Sequence, residues 1–204
     1  QLQRAATLVC ALETPRRQDP ARLGDVRFSV GLWVGRTATA NTLAEVGEKI
    51  TTWKTQRDNK KAPSPLPLTH CPWCGTELDA DTATLMPSKS APTHVRILCK
   101  NFRGCDFGQG QKRYAEEGLP LVFVDEQVYR ELPSFLVATV DKFAMVPWRA
   151  EAGMLFGRVH SREGARFFGT PDAPVPGRHA TPIPGGLRPP ELIVQDELHL
   201  ISGP

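Results

Sequence analysis

The stretch PELIVQDELHLISGP, residues 190–204, carries more information than any other part of this chain. Leu192, Ile193 and Val194 form a short apolar run, Gln195 follows, and then come Asp196, Glu197, Leu198 and His199. The run reads as a strand over residues 191–195, buried on both faces. A strand that delivers two adjacent carboxylates at its carboxyl end is suited to a nucleotide site. Asp196 is placed to hold Mg²⁺ or its water shell, and Glu197 to polarise the attacking water. This pattern predicts half of an ATP–Mg²⁺ pocket.

The other half needs a phosphate cradle of the form GxxxxGK[ST], whose backbone N–H groups and Lys hold the phosphates. The nearest approach is GLWVGRT, residues 31–37, which is one residue short and has Arg36 in place of Lys. It is read as a strand and loop, not as a cradle. The chain begins at Gln1 without Met or signal peptide, and has no apolar run long enough to span a bilayer. It therefore reads as an internal piece of a larger cytoplasmic protein with no membrane partner. The missing cradle is expected upstream, so this piece alone should be catalytically inactive.

Twenty-five basic and 22 acidic residues leave a net charge of +3, which neither demands nor excludes nucleic acid. Nineteen Pro and 17 Gly in 204 residues predict long irregular stretches. Helical spacing of Leu2, Ala5, Ala6, Leu8, Val9 and Leu12 predicts a helix over residues 1–15, ended by Pro15. Residues 27–35 read as a strand. Residues 42–56 return to helical spacing, with Thr42 as N-cap and Glu45 completing a capping box. Residues 121–124 and 135–139 read as strands flanking a short helix that starts at Asp125, and residues 141–145 as the start of another helix. The alternation favours an α/β layered sheet.

Four of the five cysteines cluster. CPWCG supplies Cys71 and Cys74, and LCKNFRGC supplies Cys99 and Cys105. Zn²⁺ takes four thiolates in a tetrahedron, and a CxxC turn delivers two of them. The pattern predicts a small four-cysteine zinc ribbon with a structural metal, because four protein ligands leave no open coordination position. Disulfides would need an oxidising compartment, and a redox CxxC would open a helix after a strand instead of following a Pro-rich linker. His70 and His94 lie close enough in sequence to stand in as ligands. Arg96, Lys100, Phe102 and Arg103 give the ribbon a face that either stays solvated or touches nucleic acid. Cys10, alone in a helical pattern, reads as a buried thiol.

Taken in order, QLQRAATLVCALE, RFSVGLWVGRTATANT, CPWCG, FLVATVDKFA and PELIVQDELHLISGP resemble the helicase subunits of DISARM anti-phage defence systems, which are superfamily 2 helicases of the DEAD/DEAH type. The resemblance implies an α/β fold: a partial RecA-like helicase lobe with a parallel sheet, plus a small inserted zinc ribbon held by the four cysteines. It implies ATP-driven movement on DNA with Mg²⁺, in complex with a partner subunit. DELH then occupies motif II, implicating Asp196, Glu197 and His199, the last as a relay to a second motor lobe. ATVDKF takes the place of the Thr-containing motif that holds the DNA backbone, implicating Thr139 and Lys142. Arg36, Thr37 and Thr39, in the loop after the first strand, are further candidate contacts to DNA phosphates. Ala40 departs from the family pattern, where Pro is expected.

The implied organisation is a first part of the lobe in residues 1–57 and a linker and zinc ribbon in 58–115. The second part of the lobe follows in 116–146, a Gly/Pro/Arg-rich loop insert in 147–190, and the strand with motif II in 191–204. Two other classes remain open on residues alone. One is a non-catalytic zinc module that binds nucleic acid or protein. The other is a metallohydrolase using Asp196, Glu197 and His199, although these lack helical HExxH spacing.

Overall fold

The computed structural model describes residues 1–35, 39–56, 64–110, 116–170 and 180–196. They form two compact units: Gln1–Val128 with Pro133–Val137, and Tyr129–Leu132 with Ala138–Pro204.

The first unit opens with α1 (Leu2–Gln18), which runs through Pro15 instead of ending there. Proline lacks the N–H that would bond the Ala11 carbonyl, and this loss is offset by charge pairing on the buried face. Glu13, fully buried, accepts from Arg16 Nε at 2.6 Å and Arg17 Nε at 3.3 Å, and also from the Phe28 N–H at 2.6 Å. The Asp19 N–H closes the helix on the Pro15 carbonyl. A short α2 (Pro20–Leu23) follows, and then β1 (Val30–Trp33). Thr42 caps α3 (Leu43–Thr55) as its sequence predicts, accepting from the Glu45 N–H at 3.2 Å, while Glu45 reaches back to the Asn41 N–H at 2.8 Å.

A hairpin of β2 (Ala83–Met86) and β3 (His94–Ile97) sits within the cysteine segment. The chain then enters β4 (Leu121–Val122), α4 (Asp125–Glu131) and β5 (Phe135–Ala138). The sheet order is β4-β1-β5, with β1 and β4 parallel and Val30 opposite Leu121. Side chains of β4 are buried on both faces, as a covered parallel sheet requires. Gly31 lies in β1, where a Cβ would come within 2.6 Å of Pro133 and 2.7 Å of Leu136. This glycine therefore serves close packing, in agreement with the reading that GLWVGRT is no phosphate cradle.

One apolar core joins α1, α3, β1 and β4 to the cysteine segment: Ala6, Val9, Val30, Val46, Leu85, Ile97 and Phe107 all belong to it. The ribbon is thus built into the first unit. The Gln127 side chain accepts from the Val95 N–H at 3.1 Å, and the Leu119 N–H donates to the Ile97 carbonyl at 2.8 Å.

The second unit corrects two expectations. It begins with α5 (Val140–Ala144). Residues 147–190, read as a loop insert, then contain α6 (Ala152–Leu155), β6 (Val159–Glu163), β7 (Arg166–Gly169) and β8 (Thr181–Pro182). The strands form an antiparallel sheet, β7-β6-β8, over a small core of Met154, Val159 and Phe167. Residues 191–195, read as a buried strand, pair with no strand among the described residues. Leu192, Ile193 and Val194 are 79%, 60% and 78% exposed. A single apolar run becomes a strand only when it docks on a sheet edge that supplies its hydrogen-bond partners, and this run is docked on none of the described strands.

Candidate metal centre and nucleotide-site residues

Two tight turns build the metal centre. In the first, the Cys71 N–H donates to Thr76 O at 2.7 Å and the Gly75 N–H to Cys71 O at 2.9 Å. Gly75 adopts φ 78°, a left-handed conformation that closes the CPWCG knuckle. In the second, the Cys99 N–H donates to Phe107 O at 2.9 Å and the Gly108 N–H to Cys105 O at 2.9 Å. The Asn101 N–H points at Cys99 Sγ, 3.4 Å away. The five-residue gap between Cys99 and Cys105 is taken up by this wider turn.

The four sulfurs converge, all lying within 4.8 Å of one another. Cys71 and Cys105 Sγ are 3.9 Å apart, and Cys74 and Cys99 Sγ 3.5 Å. These distances exclude disulfides, and all four cysteines are free. A tetrahedral Zn²⁺ with bonds of ~2.3 Å would hold its sulfurs ~3.8 Å apart, so the thiol set fits the ion. His70 and His94 are not in the cluster; their Nδ1 atoms face Thr69 and Thr93 hydroxyls at 3.0 Å.

The electrostatics of the cluster point the same way. Hydrogen bonding from the Cys105 thiol lowers Cys71 to about 5, so it is a thiolate at neutral pH. Burial pushes Cys99 up to about 11. Its hydrogen bond to Cys71, and then burial, push Cys105 far above the usual thiol range. One negative charge suppresses the others, and a divalent cation would relieve that repulsion. Cys10 is also buried beside this centre, with its thiol raised to about 12 mainly by desolvation, which keeps it neutral.

The candidate DNA and nucleotide residues are scattered. Thr39 is 4% exposed and its hydroxyl has no hydrogen-bond partner among the described residues. It lies between β1 and α3, beyond the carboxyl end of a parallel strand, where α/β sheets place their ligands. Glu126, at the corresponding end of β4, fixes this segment: it accepts from the Leu43 N–H at 3.0 Å, and its own N–H donates to Asn41 O at 3.1 Å. Sequence reading missed Glu126; an acid just inside a helix start was its only signal. Thr139 occupies the N-cap position of α5 without a side-chain cap bond, and its hydroxyl too is covered and unpartnered among the described residues. The Lys142 N–H donates to Thr139 O at 3.1 Å, so these two residues share one turn. Asp196 is exposed and lies in neither a helix nor a strand. Arg36, Thr37, Glu197 and His199 lie outside the described residues. No described helix is long and apolar enough to cross a membrane.

No protein-family model matches the chain. It is similar to a curated relative, the DISARM protein DrmA of Bacillus paralicheniformis, with 33% identity over a 216-residue alignment that takes in the whole chain. The chain spans 18% of that relative's length. The likeness read from five separated motifs thus extends to the sequence between them, and the chain is related over its entire length to the DISARM protein DrmA.

Proposed function

We propose that this chain is part of an ATP-dependent DNA translocase or helicase acting in DISARM anti-phage defence, with a partner subunit, in the cytoplasm. The observation that carries the reading is the similarity of the whole of this chain to an 18% stretch of DISARM protein DrmA. It is supported by the parallel pairing of β1 with β4 and by helices following both strands, an arrangement compatible with one lobe of such a motor. In this reading ATP and Mg²⁺ bind at a phosphate cradle contributed by the longer protein. Asp196 holds the metal, Glu197 orients the water and His199 relays the nucleotide state. Thr139 and Lys142 hold the DNA backbone at the start of α5, and Arg36, Thr37 and Thr39 hold it beyond β1. The four-cysteine centre carries Zn²⁺ as a structural staple. Leu192, Ile193 and Val194 enter the sheet as the motif II strand in the complete protein, where an edge is available to them.

The test is ATP turnover by the complete protein, with and without DNA. DNA-stimulated hydrolysis is expected, and Glu197→Gln should keep ATP binding while abolishing turnover. A complete protein that neither binds nor hydrolyses ATP would leave the zinc-stapled binding module as the better reading. Unchanged hydrolysis in Glu197→Gln would remove Glu197 from its role.

A further inference from the structure

The turn between Cys99 and Cys105 carries a feature that neither the core nor the metal explains. Phe102 stands at its apex, 58% exposed. The loop beneath it is braced. The Asn101 side chain accepts the Gly104 N–H at 2.9 Å, and a Cβ on Gly104 would sit 2.9 Å from that same side chain. Gly110 lets the edge of the Phe102 ring lie on its backbone, since a Cβ there would fall 2.8 and 2.9 Å from two ring carbons. One edge of the ring is therefore held while much of its surface stays in water.

Two other charged residues of this segment have partners. Lys100 is neutralised by an ion pair with Asp79, and Asp106 accepts the Trp73 indole N–H at 3.1 Å. Arg103, the next residue, is exposed, and no carboxylate among the described residues pairs with it. A rigid, projecting aromatic face next to an uncompensated guanidinium matches an unpaired base and its phosphate. It suits a protein surface less well, because the turn between Cys99 and Cys105 exposes a single large apolar side chain.

We propose that the tip of the second cysteine knuckle is a stacking contact for single-stranded nucleic acid, with a base on Phe102 and the adjoining phosphate on Arg103. The choice of nucleic acid as occupant rests on the DNA-directed reading above. The metal centre positions this contact and takes no part in it chemically.

The test measures binding of a fluorescein-labelled oligothymidylate to the complete protein by anisotropy at fixed salt, with zinc content as the control for folding. Phe102→Ala should weaken binding fivefold or more with zinc content unchanged, and Phe102→Trp should restore it. Arg103→Ala should weaken binding and reduce the salt slope by about one. Should Phe102→Ala lose zinc, the Trp variant and Arg103→Ala decide the matter. A zinc-loaded Phe102→Ala protein that binds within twofold of wild type overturns the proposal. The same binding with loss of the partner subunit also overturns it and makes the tip a protein contact. Failure of the wild-type protein to bind the strand at all overturns both this proposal and the DNA-directed reading, whereas a change confined to the variants bears on the tip alone.

Discussion

The Thr7 hydroxyl donates to the carbonyl oxygen of Pro72 at 2.9 Å, tying the middle of α1 to the turn that carries Cys71 and Cys74. Close by, the Arg17 guanidinium lies 4.6 Å from the centre of the Phe107 ring, just past Cys105. Both knuckles therefore touch the same helix. A metal bound by the four cysteines would hold together a centre against which α1 packs, so its loss should be felt well outside this segment. Structural zinc contributes about 10–16 kcal/mol in small peptides, as much as or more than the stability of most domains. Extracting it from the complete protein with a strong chelator should therefore expose α1 and β3 amides to hydrogen exchange. Elemental analysis should give one zinc per chain, lost on Cys105→Ser. Unchanged exchange in α1 after extraction would show that the helix does not depend on the centre.

Metal loading should depend on pH with a definite sign. Cys99, raised to about 11, and Cys105, raised further still, are protonated at pH 6–8 in the metal-free centre, whereas Cys71 at about 5 is already a thiolate. Binding must expel the protons from Cys99 and Cys105, so affinity falls as pH falls. Each expelled proton weakens binding tenfold per pH unit, which gives about 100-fold per unit for these two thiols. Competition against a chromogenic zinc chelator at pH 6, 7 and 8 reads this directly. A flat profile would mean that these thiols are already ionised.

Gly31 and Gly35 offer a matched pair. A methyl group at Gly31 would press on Pro133 and Leu136, whereas one at Gly35 meets nothing among the described residues within 4 Å. Gly31→Ala should cost about 1–3 kcal/mol, and Gly35→Ala close to nothing. Thermal shift of the complete protein ranks the two variants. Equal effects would contradict the packing of the segment after α4 against β1.

The elements that were legible in the sequence carry their own local instructions. Thr42 and Glu45 announce α3, and CPWCG announces a knuckle whose geometry needs only Gly75 to close. The elements that were missed depend on partners distant in sequence. Pro15 would end an isolated helix, but Glu13 holds Arg16 and Arg17 on the far side of it. The β6–β7 hairpin hid because its strands are only five and four residues long and its buried core is only three residues. Leu192, Ile193 and Val194 have the composition of a strand but stay exposed and join none of the described strands. For the site, the convergence of the four cysteines was readable from spacing. Glu126 was not, because the groups it satisfies belong to a segment more than 80 residues earlier.

Outside the four-cysteine cluster, the strongest single-residue effect on stability should come from Glu13. Its carboxylate is fully buried, takes Arg16 and Arg17 as partners, and also accepts the Phe28 N–H that leads into β1. Arg16 and Arg17 are in turn held by Glu117 at 3.4 and 3.2 Å, so the cluster links α1 to the chain entering β4. Glu13→Ala would leave two nearly buried guanidinium groups facing a cavity, with only a half-exposed carboxylate to compensate them. Breaking one side of a buried charge cluster costs about 3–5 kcal/mol, whereas replacing the whole set by apolar residues is often neutral. Local opening of α1, read from hydrogen exchange in the complete protein, should therefore become several hundred-fold more frequent in Glu13→Ala. Glu13→Gln, which keeps acceptors for the Phe28 N–H and one arginine, should fall between wild type and Ala. If Glu13→Ala leaves α1 protection intact, Pro15 is being carried within the helix by apolar packing of Val9 and Cys10 alone, and the charge cluster is not what extends α1 to Gln18.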